Sequence, residues 1–365
     1  MLTVGFYLVT KTRDDTLNAP KMNCITPIAL FVFNRPRLAA RVFEAVRRAR
    51  PKRVFVIADG PRHAEDEPKC AASRALADQV DWDCEVLTNF SETNMGCGHR
   101  VASGLDWVFG QTEEAIVLED DCVPADCFFN YCDELLANYR DDPRVMHISG
   151  SSFLPPRCRC KHSYYFSKYA SCLGWASWGR AWKHYSFAIP SWADFKGGRL
   201  AAICPDAIEA AHWVRRFDPI ARGERPDVWD YQWSFALWQQ GGFAIAPAVN
   251  LVAYVGIGDD ATHSKKVPRW HHRPLGSITD LVHPRAIAHE AELDRATFDE
   301  FYGGHRMRER ATLTYQLTKP LRLLKKLQSR LAVPSALPSN GTVRASSYVS
   351  ANTARALVPI RRRSS

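Results

Sequence analysis

No run of apolar residues in this sequence approaches the roughly 18 that a membrane-spanning helix needs, so no such helix is expected in it. Neither GxGxxG nor a P-loop occurs, so the two commonest phosphate cradles are absent. Eleven cysteines are present, but the number is odd, the spacing irregular, and none follows Cys204. A disulfide framework is not expected from that pattern, and reduced thiols in a cytoplasm are. Cys158-Arg-Cys160-Lys-His162 has no matching second pair, which argues against zinc. No basic residue precedes Val4–Val9, and that apolar stretch is too short for a signal-peptide core. Residues 1–24 read as a loose extension, with Met22 an alternative start.

Acidic residues nearly vanish from one region. Residues 305–365 hold 13 Lys or Arg and a single acid, Glu309, although the whole chain is only +9. The first 304 residues are therefore close to neutral. A basic face belonging to the fold, as nucleic-acid binding requires, is not indicated. Leu321, Leu324, Leu327 and Leu331 fall near one helical face among Arg322, Lys325, Lys326 and Arg330. Residues 305–332 thus read as a basic amphipathic helix, able to lie on an anionic membrane or to pack on the main domain. Residues 333–365, rich in Ser, Ala, Pro and Arg, read as disordered.

What is present is the stuff of a globular α/β protein, with 46% hydrophobic and 11% aromatic residues. Apolar runs at 28–33, 53–58, 84–88 and 115–118 alternate with helical patterns at 37–49, before 84 and at 99–109. Alternation of this kind predicts right-handed crossovers and a mostly parallel sheet. The fourth run, Ala115 to Leu118, ends in Glu119, Asp120 and Asp121. Ligands of open α/β sheets sit beyond the carboxyl ends of strands. Three hard oxygen donors there suit Mg²⁺ or Mn²⁺, whose task would be to neutralise a diphosphate. An acidic surface turn is the plainer alternative.

The other strand ends carry ligand-capable residues too. Asn34 and Arg35 suit contact with base, ribose or phosphate. Asp59 suits the imide N–H of a uracil, and Arg62 a phosphate. Gly96 and Gly98 would let the backbone approach a ligand at a helix N-terminus. Singly, each is also an ordinary turn or cap residue.

From about residue 150 aromatics become dense. Trp175, Trp178 and Trp182, at i, i+3 and i+7, are expected to share a helix face. Trp175, Trp178 and Trp229 are candidates for stacking on an acceptor sugar, with core packing as the alternative. Asp230 opens a helical stretch running to Trp238, either as a helix cap or as a general base toward an acceptor hydroxyl. Two further strands are expected at 242–246 and 250–256. Asp260, Thr262 and His263 lie in a polar loop that could close over a diphosphate.

The ordered motifs FNRP (33–36), ADGPR (58–62), NMGCG (94–98), LEDDCVP (118–124), HISG (147–150), GWASWGRAW (174–182), WDYQW (229–233) and GIGDDATHS (256–264) resemble a known group. The chain is similar to GT-A-fold nucleotide-sugar transferases, specifically bacterial hemolysin-like proteins resembling glycosyltransferase family 2. It is more distantly similar to N-acetylglucosaminyltransferase I. The loop at 254–260 departs from the group in residues but not in chemistry.

The resemblance implies one GT-A domain, with a nucleotide-sugar half at 25–156 and an acceptor and catalytic half at 157–304. It implies Asp121 as the direct metal ligand within the Glu119–Asp121 motif, and Asp59 as the base contact. It further implies Asp230 as catalytic base and His263 as a late metal or diphosphate contact. The expected activity is metal-dependent, inverting transfer from a UDP-sugar to a glycan or lipid-linked acceptor, in the cytoplasm or at the inner membrane face. A non-catalytic binding module and a membrane-active hemolysin-like protein are the alternatives.

Overall fold

The computed structural model describes residues 24–257 and 269–312. The expectations for residues 1–23, for Asp260, Thr262 and His263, and for the tail beyond 312 lie outside the described residues.

The chain alternates as the apolar runs predict. It begins β1 (Ile28–Val32), α1 (Pro36–Ala49), β2 (Arg53–Ala58), α2 (Glu67–Arg74), β3 (Glu85–Phe90), α3 (Cys97–Phe109) and β4 (Glu114–Glu119). It continues β5 (Cys122–Pro124), α4 (Cys127–Asn138), β6 (Val145–Ser149), β7 (Tyr164–Ser167) and β8 (Trp175–Trp178). Helices α5 (Gly179–Trp182), α6 (Trp192–Gly198), α7 (Leu200–Ile203), α8 (Ala207–Ala221) and α9 (Asp230–Gln240) follow. The last elements are β9 (Phe243–Pro247), β10 (Val252–Tyr254), α10 (Ala291–Thr297), a wide helical turn at Phe298–Tyr302 and α11 (Gly304–Ala311).

One eight-stranded sheet has the order β3-β2-β1-β4-β8-β6-β9-β7. Strands β1 to β4 are parallel to one another, β6 is parallel to β9, and only β8 and β7 run against their neighbours. This is an α/β protein with a Rossmann-like, mostly parallel sheet flanked by helices. The strand period of two divides β1 between two cores. Ile28, Leu30 and Val32 face one layer with Val42, Phe43 and Phe128. Ala29 and Phe31 face the other with Leu105, Trp213 and Trp233. Helix α1 starts cleanly because Pro36 sits in its first turn, where a missing N–H costs nothing.

Two expectations need correction. Trp175 and Trp178 do not share a helix face but lie in strand β8, where an offset of three points side chains to opposite faces. Trp175 joins one core and Trp178 the other, at 0% and 1% exposure, so neither can stack on a sugar. Cys24, placed in the loose extension, is buried and bonds through its N–H to the carbonyl of Ala49 (2.9 Å). Of the basic helix expected over 305–332, the described residues hold α11, which begins at Gly304. Its Arg308 pairs with Asp206 (2.6 Å) and with Asp299, so that charge is committed to the fold.

Candidate functional site

Strand β4 delivers the acid triplet to the carboxyl edge of the sheet. Immediately after it, β5 pairs antiparallel with β10, and Val255 donates its N–H to the carbonyl of Asp121 (2.8 Å). This brings Gly256 against the triplet so closely that a Cβ there would lie 2.1 Å from Asp121 Oδ2. Residues more than 130 apart in sequence thereby meet at one strand end.

Arg35 lies across the triplet. Its Nη2 stands 2.5 Å from Asp120 Oδ1 and 3.0 Å from Asp121 Oδ2. Asp120 Oδ2 also accepts the N–H of Phe33 (3.3 Å). Burial pushes the Asp120 carboxyl up to about 6, against the pull of Arg35, with Asp121 adding to the rise. Glu119 is pushed well above the usual carboxylate range by burial first, then by Asp121, Asp120 and Asp230. Among the described residues no group of three or more His, Cys, Asp or Glu converges as a metal ion requires. Two hard oxygens do converge, Asp120 Oδ1 and Asp121 Oδ2, and that pair fits a hard divalent cation in chemistry.

The remaining strand-end residues are bonded mainly to one another. Asn34 Nδ2 donates to Asp66 Oδ1 (2.6 Å), and Arg62 Nε donates to Asp66 Oδ2 (2.9 Å). The Arg62 guanidinium lies over the Phe33 ring (5.0 Å) and its side chain is 44% exposed, so it stays open to an anion. Asp59 Oδ1 accepts the N–H groups of Gly60 (2.9 Å) and Met95 (2.8 Å). Its Oδ2 accepts from Asn94 Nδ2 (3.0 Å) and the N–H of Gly96 (3.0 Å). Four donors fill the sites a carboxylate offers. Asp59 therefore holds the 93–96 loop, and the uracil-accepting role is closed to it as it stands.

The two glycines part company. Gly96 adopts φ +77° and lines the cavity beside Asp59. Gly98 does not clear space for a ligand: a Cβ there would lie 2.2 Å from the carbonyl oxygen of Pro226, so the close approach is to the chain's own 226–228 segment. That contact sets the segment leading into α9. Arg100, buried at 5% exposure, is likewise internal, donating to the carbonyl of Ala58 (3.1 Å) and to Asn89 Oδ1 (2.8 Å).

Asp230 occupies the first turn of α9, while Trp229 holds the cap position and makes no side-chain cap bond. The cap alternative thus does not describe Asp230, although an acid in a first turn does suit the helix dipole. Asp230 is exposed and lines a cavity of 520 Å³ together with Trp229, Tyr231, Arg216 and Glu119. A second cavity, of 160 Å³, is lined by Arg35, Asp59, Arg62, Asn94, Gly96 and Asp120. Cys97 and Glu119 belong to both walls.

Several residues of the larger cavity carried no sequence signal. Arg225 is paired with Asp227 (2.8 Å), and the Arg216 guanidinium lies over Tyr231 (5.8 Å). Phe301 and Tyr302 arrive from the wide turn after α10. No local pattern marks them, because they come from four separate segments. His147 of HISG, although polar, belongs to the core. Trp233 Nε1 donates to its Nδ1 (3.0 Å), which leaves Nε2–H to donate to the carbonyl of Ser171 (2.9 Å).

The architecture and strand-end turns define a Rossmann-like α/β protein. No family model and no curated protein sequence matches the chain. A solved structure, UDP-glucose pyrophosphorylase complexed with UDP-glucose, aligns at 10% identity and a TM-score of 0.26 over 44% of this chain and 78% of that one. A likeness at that level says nothing about what this chain binds. Among the described residues no helix is long and apolar enough to cross a membrane.

Proposed function

We propose that this chain is a GT-A-type, inverting glycosyltransferase that moves a sugar from a nucleotide diphosphate, with UDP-sugars the first donors to test, to a glycan or lipid-linked acceptor. The observation that carries the reading is the shared wall. Glu119, at the tip of the acidic strand, borders both the small cavity with Arg35 and Arg62 and the large cavity with Asp230. A donor spanning that wall would place its diphosphate by the arginines and its sugar toward Asp230.

The chemistry follows from that placement. The acceptor hydroxyl gives its proton to the Asp230 carboxylate as its oxygen bonds to the anomeric carbon. The bond from that carbon to the diphosphate oxygen breaks, and its electron pair leaves with the nucleotide. Attack opposite the leaving group inverts the anomeric centre, through an oxocarbenium-like transition state. Trp229 and Tyr231 line the acceptor side. Arg62 is open to meet the diphosphate. Asp121 and Asp120 would hold Mn²⁺ or Mg²⁺, which when bound supplies positive charge to the leaving group.

Thermal-shift measurements against UDP-, GDP-, CMP- and dTDP-sugars, with and without Mn²⁺, test the reading. A donor at a hundredfold excess over Kd is expected to stabilise the fold by about 2.7 kcal/mol. The shift should require Mn²⁺ and vanish in Asp121→Ala. No shift with any of the four would overturn the proposal in favour of a non-catalytic module.

A further inference from the structure

Arg35 reaches from the start of α1 back to the tip of β4, where one nitrogen, Nη2, touches an oxygen from each of two buried carboxylates. Asp120 and Asp121 are 3% and 6% exposed, so neither can rely on water for its counter-charge. Two neighbouring buried acids with no cation beside them would be strongly unfavourable. Arg35 meets that need from within the chain. A divalent cation held by the same pair requires the same oxygens at about 2.0–2.6 Å. One nitrogen already bridges the two oxygens, so a cation that bridges them from the same side has to take its place.

We propose that Arg35 is the resident counter-ion of the Asp120–Asp121 pair and that a divalent cation enters by displacing it. The inference deepens the glycosyltransferase reading and rests on it for the cation. Arg35 also forms part of the 160 Å³ cavity wall, alongside Arg62. The displaced guanidinium therefore has an anion-binding wall to turn toward, where a diphosphate would receive it. Cation and nucleotide then assist each other: the cation releases Arg35, and the diphosphate takes it up. The metal alone should bind weakly and the metal with UDP tightly, a coupling that is reciprocal.

The test is Mn²⁺ binding to the full chain without nucleotide, read from the free-ion electron paramagnetic resonance signal. Arg35→Gln is expected to bind Mn²⁺ about tenfold more tightly than the unaltered chain, an ordinary size for coupled equilibria. Asp121→Asn should abolish uptake in either background. Arg35→Lys keeps the charge without the planar fork, serves where the glutamine variant fails to fold, and should fall between the two. Affinity in Arg35→Gln or Arg35→Lys no tighter than in the unaltered chain overturns the proposal. If that result accompanies Mn²⁺-dependent UDP-sugar binding, the transferase reading stands and only the role of Arg35 falls. If no variant takes up Mn²⁺ with or without UDP, both fall.

Discussion

The two halves of this protein hold charge in different ways. At the strand ends of the first half, polar groups are spent on each other: Asn34 and Arg62 on Asp66, Asn94 and three backbone N–H groups on Asp59, Arg35 on Asp120 and Asp121. In the second half Asp230 is exposed and lines a 520 Å³ cavity, on the first turn of a helix whose other side is core. Internally bonded groups make a rigid frame, because moving any one of them leaves another unsatisfied. Asp230, exposed on the first turn of α9 and lining the larger cavity, is placed where a substrate can reach it. Substitutions should therefore separate, with chemistry lost on one side and stability or geometry on the other.

The largest effect is expected at Asp230. Asp230→Asn should lower turnover about 10²–10⁴-fold while donor affinity and melting temperature stay close to the unaltered values. Steady-state kinetics beside thermal-shift titration checks both halves of that statement. A matching loss of donor binding would erase the contrast and make Asp230 a structural residue.

Next is Trp178, which looked like an acceptor residue and is a core one. Its ring lies in the β1–α4 core, its Nε1 donates to the carbonyl of Leu136 (3.3 Å), and Arg180 stacks on it at 4.3 Å. Trp178→Ala should cost about 3–5 kcal/mol of stability, measured by urea unfolding, with little change in sugar binding to the folded fraction.

These cases show where the sequence was legible. Strands β1, β2 and β4 could be read because a buried parallel strand is a short apolar run, a purely local signal. The acid triplet was legible for the same reason, as a polar break at a strand's end. The tryptophans were not, since a spacing of three marks one face of a helix but opposite faces of a strand, and nothing local distinguishes the two. Partnerships also escaped. Arg35 meets Asp120 across 85 residues, and Gly98 packs against Pro226 across a greater span. Asp59 could be recognised as a strand-end acid, yet only the folded loop shows that its oxygens are already filled.

A third effect is of intermediate size and depends on pH. His212 is 4% exposed, and its side chain is lowered to about 4 by burial first, then by Arg216 and Arg215. A base whose folded pKa lies below its unfolded value of about 6.5 stabilises the fold fully above 6.5, and that stability is lost as pH falls toward 4. His147, buried and lowered to about 3, acts in the same direction. For His212 the full change is about 3 kcal/mol. Unfolding free energy should therefore drop between pH 6.5 and 4, and His212→Phe should make that limb shallower. An unchanged limb would move the acid sensitivity elsewhere, to the strand-end frame.

The smallest effect sharpens the comparison most, because it concerns a residue that looked like a ligand contact. Asn34 Nδ2 lies 2.6 Å from Asp66 Oδ1, and Asp66 is held near 2 by its bond to Arg62 first, with Asn34 contributing. The carboxylate's folded pKa is below its unfolded value, so this stability is present above about pH 4 and lost as pH falls toward 2. Asn34→Ala removes one of the donors but leaves Arg62 in place, so the cost should be about 1 kcal/mol at pH 7. Nucleotide affinity should not change if Asn34 serves the frame. A fall in affinity of tenfold or more with unchanged stability would mean that Asn34 leaves Asp66 to contact the donor. The frame would then be a set of partners that a ligand rearranges, as proposed for Arg35, and the difference between the halves would lie in when their groups are released, not in whether they are.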